Sequence, residues 1–264
     1  MTLPVTVAAA LLLFAPSMPP PADAPTTAVA TVQFAPPLGR TMTYRVTTRR
    51  IGRDGSPVIF TLAYTLQWQR LGRGYQLEAV LDRIESDAPP AVARALTLML
   101  QPLIGERLTY LVPVDGSRID LVDPEGVWAR VTARVEAVGA NGNREEARRL
   151  AALIAALPDA ERDRLATADV RALIVPANAI IGQAVTEDAA ANGPLRTVVR
   201  VEQDGRAGSV PLRIDQRWTI DTATGLVMRE RRQSWVTPTT GGEPMLAEER
   251  LRVLEPAPEI DKVS

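Results

Sequence analysis

Apolar and polar residues alternate through the first folded stretch of this chain. Over residues 41–50, Met42, Tyr44 and Val46 are interleaved with Thr43, Arg45 and Thr47, the period of two that turns one face of a strand toward a core. After a turn built around Asp54-Gly55, the residues Val58, Phe60, Leu62, Tyr64, Leu66 and Trp68 occupy every second place. Gly72-Arg73-Gly74 then leads into a third strand over 75–84. Residues 41–85 therefore read as an antiparallel meander.

The period changes after Pro89 and Pro90. Residues 91–103 predict a helix that is apolar nearly all round, and such a helix must be buried or covered. Residues 107–122 return to strands hinged on Asp115-Gly116, read as a two-residue type I′ turn. Asp123-Pro124-Glu125 has the form of a helix start, with a capping acid, a proline at the first position and an acid in the first turn. Val127, Trp128, Val131, Val135 and Val138 give that helix one apolar face. A second helix is expected over 144–157, with Ala147, Leu150, Ala151, Ile154 and Leu157 in line, and a third over 160–173. Charges of alternating sign mark their outer faces as solvated.

Strands resume over 197–203, 210–220, 226–236 and 247–254. The link from Asp221 to Gly225 has hairpin chemistry: the aspartate accepts from backbone donors ahead of it, and the glycine takes a left-handed conformation. Placing the turn at 222–225 sets Ile220 beside Leu226 and Trp218 beside Met228. Strands, then helices, then strands predict an α+β domain, a large antiparallel sheet with a central helical insert packed on it.

The N-terminus sets the expected compartment. Residues 5–14 are apolar, of signal-peptide length and too few to span a bilayer, and Pro16, Pro19, Pro20 and Pro21 follow them. Small-residue cleavage sites follow after Ala24 and after Ala30, the second favoured because Pro25 spoils the first; the region before Val5 carries no Lys or Arg. The expected organisation is a signal peptide over 1–30, a Pro-rich linker over 31–38, one domain over 39–256 and a C-terminal tail over 257–264, in a periplasmic or secreted protein. With no cysteine to carry a lipid, the processed form is expected to have no stable membrane insertion.

Composition narrows the chemistry. The chain has 30 basic and 31 acidic residues; removing 1–30 takes away only Asp23, which leaves a formal charge of zero and no electrostatic reason to expect nucleic acid. There is no histidine and no cysteine, so Ser-His-Asp and Cys-His nucleophile systems, disulfides and ordinary zinc sites are excluded. Lys262 is the only lysine. No GxSxG, Walker A, HExxH or EF-hand spacing occurs. Acid pairs such as Asp120 with Asp123 and Glu145 with Glu146 fall at turns and helix starts, where acids serve as caps. A non-enzymatic protein without a cofactor or metal is expected.

The amphipathic strands, the Asp221–Leu226 hairpin and the apolar helices between strand blocks resemble the lipoprotein-carrier type of periplasmic domain, the LolA and LolB group. That resemblance implies a curved, open half-barrel covered by helices and holding acyl chains. No residue-level motif comes with the resemblance; the long amphipathic sheet and the apolar helix over 91–103 can themselves form a lined cavity, which makes an apolar or amphipathic ligand, such as a lipid or acyl chain, the expected partner, and the residues Phe60, Tyr64, Trp68 and Trp218 on the strands are the candidate ligand-binding residues. The same stripe, Phe60 to Trp68, is equally the core face of an ordinary half-buried strand. Arg213 and Arg217 with Asp215, and Arg229 and Arg231 on the next strand, are either an anionic head-group site or a solvated face. A cell-envelope protein docking through Trp218 or Trp235 is the alternative partner, the proline-rich segment holding the domain away from its neighbour.

Overall fold

Every period-two stretch forms a strand. The computed structural model describes residues 33–52, 55–90, 93, 100–140, 144–180, 187–188, 195–204, 212–237 and 242–256. The expected signal peptide and its cleavage sites, most of the helix over 91–103, the loop that follows Asp204 and the C-terminal tail lie outside the described residues. The elements are β1 (Thr41–Ile51), β2 (Pro57–Leu71), β3 (Gly74–Ser86), β4 (Arg107–Pro113), β5 (Asp120–Leu121), α1 (Pro124–Ala140), α2 (Arg144–Ala156), α3 (Asp159–Ile180), β6 (Glu187–Asp188), β7 (Leu195–Asp204), β8 (Leu212–Asp221), β9 (Leu226–Val236) and β10 (Met245–Pro256).

The strands form one antiparallel sheet in the order β5-β4-β3-β2-β1-β10-β9-β8-β7-β6. Eight strands are long, and a two-residue strand ends each edge. The first meander grows outward from β1 to β5. The helices then carry the chain to the far edge, and the second meander returns from β6 to β10, which pairs with β1. The two edges do not meet, so the sheet is not closed into a barrel.

Alternation and register together assign the inner face. Met42, Tyr44 and Val46 of β1 are buried, and their partners Leu66, Tyr64 and Leu62 of β2 lie on the same face. The main core gathers this face with Trp68, Leu77, Tyr110, Val112, Leu226 and Leu254, and α3 adds Val170, Leu173 and Ile174. A smaller cluster joins Ala177 of α3 to Trp218, Ile220 and Val227. That second contact explains why α3 outruns the expected 160–173 and passes through Pro176: its last turns still have apolar side chains to cover. Val135 of α1 and Ala151 and Ile154 of α2 form a separate helical cluster.

Three local expectations are corrected. Of the segment expected as a linker over 31–38, the described residues 33–38 pack against the domain: Phe34 is buried, edge-on to Trp68 (ring centroids 5.5 Å apart) and to Tyr75 (5.3 Å), the Ala35 amide donates to the Thr224 carbonyl at 2.9 Å, and Leu38 bridges to Trp68. Asp115-Gly116 is not a two-residue type I′ turn, which needs positive φ at both residues. Only Gly116 has it (φ 67°), at the end of a turn in which its amide donates to the Pro113 carbonyl. At the Asp221 hairpin the chemistry is as expected, with Asp221 accepting from the Ala223 amide (3.0 Å) and the Thr224 hydroxyl (2.7 Å), and Gly225 at φ 69°. The register differs: Asp221 pairs with Leu226, which sets Ile220 opposite Val227, and a bulge between Thr219 and Ile220 then carries Trp218 on to Glu230. The cap at Asp123 forms, its carboxylate accepting from the Gly126 amide at 3.1 Å.

Candidate functional site

α3 divides the inner face of the sheet. On one side of the helix the space is filled: Trp68 is fully buried among Phe34, Tyr75 and Leu77. Across the middle, where the packing is otherwise apolar, lies a polar joint. Arg252 of β10 donates to Glu230 of β9 at 2.7 Å and to Asp169 of α3 at 3.0 Å. The Tyr44 hydroxyl donates to the Asp169 main-chain carbonyl (3.1 Å), and that of Tyr110 donates to the Ala166 carbonyl (2.7 Å). α3 is thus tied to β1, β4 and β10 by hydrogen bonds, two of them to main-chain carbonyls inside the helix.

Burial sets the electrostatics of this joint. The phenols of Tyr44, Tyr64 and Tyr110 are all pushed well above their ordinary pKa, first by loss of water and then by the nearby Asp169 carboxylate. For Arg252, burial works against the charge, but Glu230, Tyr44 and Asp169 outweigh it and hold the guanidinium above its ordinary pKa. A neutral phenol beside a paired arginine is a hydrogen-bond donor and an anchor. Neither a free base nor a nucleophile is presented here.

Beyond the joint, along the strands, the inner face changes character. The transverse row Trp218, Glu230, Arg252, Val46, Leu62 is followed by the row Gln216, Arg232, Arg250, Thr48, Phe60, and then by Ile214, Ser234, Glu248, Arg50, Val58. Val58, Phe60, Leu62 and Ile214 are only half-buried, in contrast to Leu66 and Trp68 on the filled side. Phe60 and Tyr64, two of the expected ligand-binding residues, therefore keep partial access. Trp68 and Trp218 do not: both rings are packed in clusters, Trp218 at 5% exposure. Trp235 faces Leu246 on the opposite side of the sheet.

The arginines expected as an anion site lie on the outer face and are largely neutralised or solvated. Arg213 makes two contacts to Asp215, at 2.9 and 3.0 Å, and Arg231 pairs with Glu249 at 2.6 Å. Arg217 and Arg229 are exposed. The arginines that matter inside, Arg252, Arg250 and Arg232, look the same in sequence. Their only signal is the even spacing that puts them on the face of Leu254 and Glu230.

A cleft of about 370 Å³ lies in the helical layer, lined by Trp128, Thr132, Glu136, Ile154 and Arg162. The indole N–H of Trp128 and the Arg162 Nε are shielded there without a partner. That does not mark a site, because all four indoles share this condition, and the other Arg162 nitrogens reach the Ala155 carbonyl (2.8 Å) and Asp159 (3.6 Å). Among the described residues no group of three or more acidic side chains is placed to hold a metal ion, and no helix is long and apolar enough to cross a membrane.

No protein-family model and no curated protein matches the chain. A solved structure from Nitrosomonas europaea, described as AttH, aligns with 84% of this chain at 7% identity and a TM-score of 0.18. The alignment spans about half of that structure's length, 53%.

Proposed function

We propose that the chain is exported and that its processed domain is a non-enzymatic binding domain for an apolar or amphipathic ligand, such as a lipid or acyl chain, of the lipoprotein-carrier kind. The observation that carries this reading is the division of the inner face. A sheet that needed only a core would bury its whole apolar stripe, since each exposed apolar side chain forfeits roughly 1.5–3 kcal/mol of burial. Here one half is sealed around Trp68, while Val58, Phe60, Leu62 and Ile214 keep solvent access on a sheet whose edges do not close. Phe60 and Tyr64 take the ligand; Trp218 is packed in the transverse row next to that of Phe60, and Trp68 belongs to the sealed half.

The reading is tested by native mass spectrometry of protein taken from the periplasm, followed by titration of the delipidated domain with dodecyl maltoside. Co-purified lipid, or saturable binding weakened by Phe60→Asp, is the expected result. A bare polypeptide mass together with no saturable binding overturns it. Export is tested separately by N-terminal sequencing, which should begin at Thr31 or Pro25; soluble cytoplasmic protein beginning at Met1 overturns the compartment.

A further inference from the structure

We propose that Arg232 and Arg250 clamp the phosphate of a phosphate-bearing amphiphile whose chain lies on the half-exposed apolar side chains beside them, a reading that rests on the binding function proposed above. The two arginines are direct cross-strand partners between β9 and β10, on the inner face. Like charges placed opposite one another destabilise a sheet, and the arrangement is not relieved from within. Among the described residues Arg232, half-buried, makes no hydrogen bond or ion pair. Arg250 has a shielded Nε without a partner and reaches Glu248 only at 3.4 Å. The Glu248 carboxylate is engaged more closely by Arg50, at 2.9 Å.

The neighbours define the ligand. In the next transverse row toward α3, Arg252 is saturated by Glu230 and Asp169, so it does not compete for an incoming anion. Gln216 adjoins Arg232 on β8 and places a side-chain amide beside the pair, its Nε2 only 3.5 Å from Glu230. Two guanidinium forks side by side carry two positive charges, which the single charge of a carboxylate does not balance, whereas a phosphate monoester carries about −1.5 to −2 and presents three oxygens to the two forks. On the opposite side of Arg250 the same row runs through Thr48 to Phe60. Val58 and Leu62 flank Phe60 on the same face of β2, so an apolar tail has a surface immediately next to the charge.

The test is calorimetric titration of the delipidated domain with dodecyl phosphate, inorganic phosphate and dodecyl maltoside, using the wild-type chain, Arg232→Gln, Arg250→Gln and Arg250→Lys. The expected result is that dodecyl phosphate binds more tightly than either fragment. It should weaken by about tenfold or more in both Gln variants and also in Arg250→Lys, which keeps the charge and loses the fork. Dodecyl maltoside binding should be unchanged by all three. Unliganded Arg232→Gln should melt at or above the wild-type temperature, because a like-charge opposition has been removed. A marked loss of stability there makes the pair structural and overturns the clamp. So does dodecyl phosphate binding that the Gln variants do not alter. Inorganic phosphate bound as tightly as dodecyl phosphate overturns the amphiphile as the ligand's source. The two readings fail separately: maltoside binding together with dodecyl phosphate binding that no arginine variant alters removes the clamp alone, and arginine-dependent phosphate binding without maltoside binding removes the apolar-ligand function alone.

Discussion

Arg252→Met isolates the energetics of the joint between α3 and the sheet. The Arg252 side chain is 10% exposed and Glu230 is 5% exposed, and they meet at 2.7 Å. Methionine keeps most of the packing volume, so the loss is electrostatic. Glu230 would be left buried and unpaired, a condition that costs about 3–5 kcal/mol. Asp169, 30% exposed, can take up water and adds little. For a domain of this size about 1 kcal/mol shifts the melting temperature by roughly 2–4 °C, so a fall on the order of 6–20 °C is expected. Glu230→Gln should cost less, about 1–3 kcal/mol, because Arg252 keeps Asp169. The double variant Arg252→Met with Glu230→Leu should recover most of the single loss, since apolar residues of similar volume replace a buried ion pair at little or no cost. The assay is urea unfolding followed by circular dichroism, with the slope unchanged so that midpoints report stability. A single variant within about 1 kcal/mol of wild type, or a double variant no more stable than the single, refutes the assignment of Glu230 as a charge dependent on Arg252.

Phe34→Ala should destabilise the domain by about 3–5 kcal/mol, read from the same denaturation curves, because the ring fills the space between Trp68 and Tyr75; a change below about 1 kcal/mol would return this segment to a spacer role. Gly225→Ala should also lose stability, by about 1 kcal/mol or more from its φ of 69° alone, with a further cost because a Cβ there meets the Gln33 carbonyl oxygen at 2.9 Å; an unchanged melting temperature would refute the close approach. Alkaline stability follows from the raised phenols of Tyr44, Tyr64 and Tyr110. Their folded pKa values exceed the unfolded value near 10, so above that pH the unfolded chain releases protons that the folded chain retains, and stability falls as pH rises. Each such group contributes about 1.4 kcal/mol per pH unit. Tyrosinate absorbance at 295 nm should therefore rise together with loss of circular dichroism, and a full rise in a still-folded protein would contradict the burial.

Element type was legible in the sequence wherever one residue's neighbours along the chain decide it. β1, β2 and β3 follow from their period of two, the Asp123 cap and the Asp221 hairpin from side chains that bond to backbone a few residues ahead, and the first two helices from their apolar faces. All of these are local: a strand or helix shows which positions it must bury whatever it is buried against. What the tertiary structure alone decided is which faces meet. Residues 31–38 carry no periodicity, so nothing in them announced that Phe34 would complete a ring cluster contributed by β2 and β3. The joint of Arg252 with Glu230, 22 residues away, and Asp169, 83 residues away, depends on β10 closing on β1 and on where α3 crosses the sheet. The pairing of Ile220 with Val227 and the bulge beyond it, which together set Trp218 opposite Glu230 and not Met228, are one-residue shifts that alternation does not encode. Arg232, Arg250 and Arg252 read in sequence like the solvated arginines beside them, because an arginine's partners are fixed by cross-strand register and helix placement, which are properties of the packed sheet and not of any segment within it.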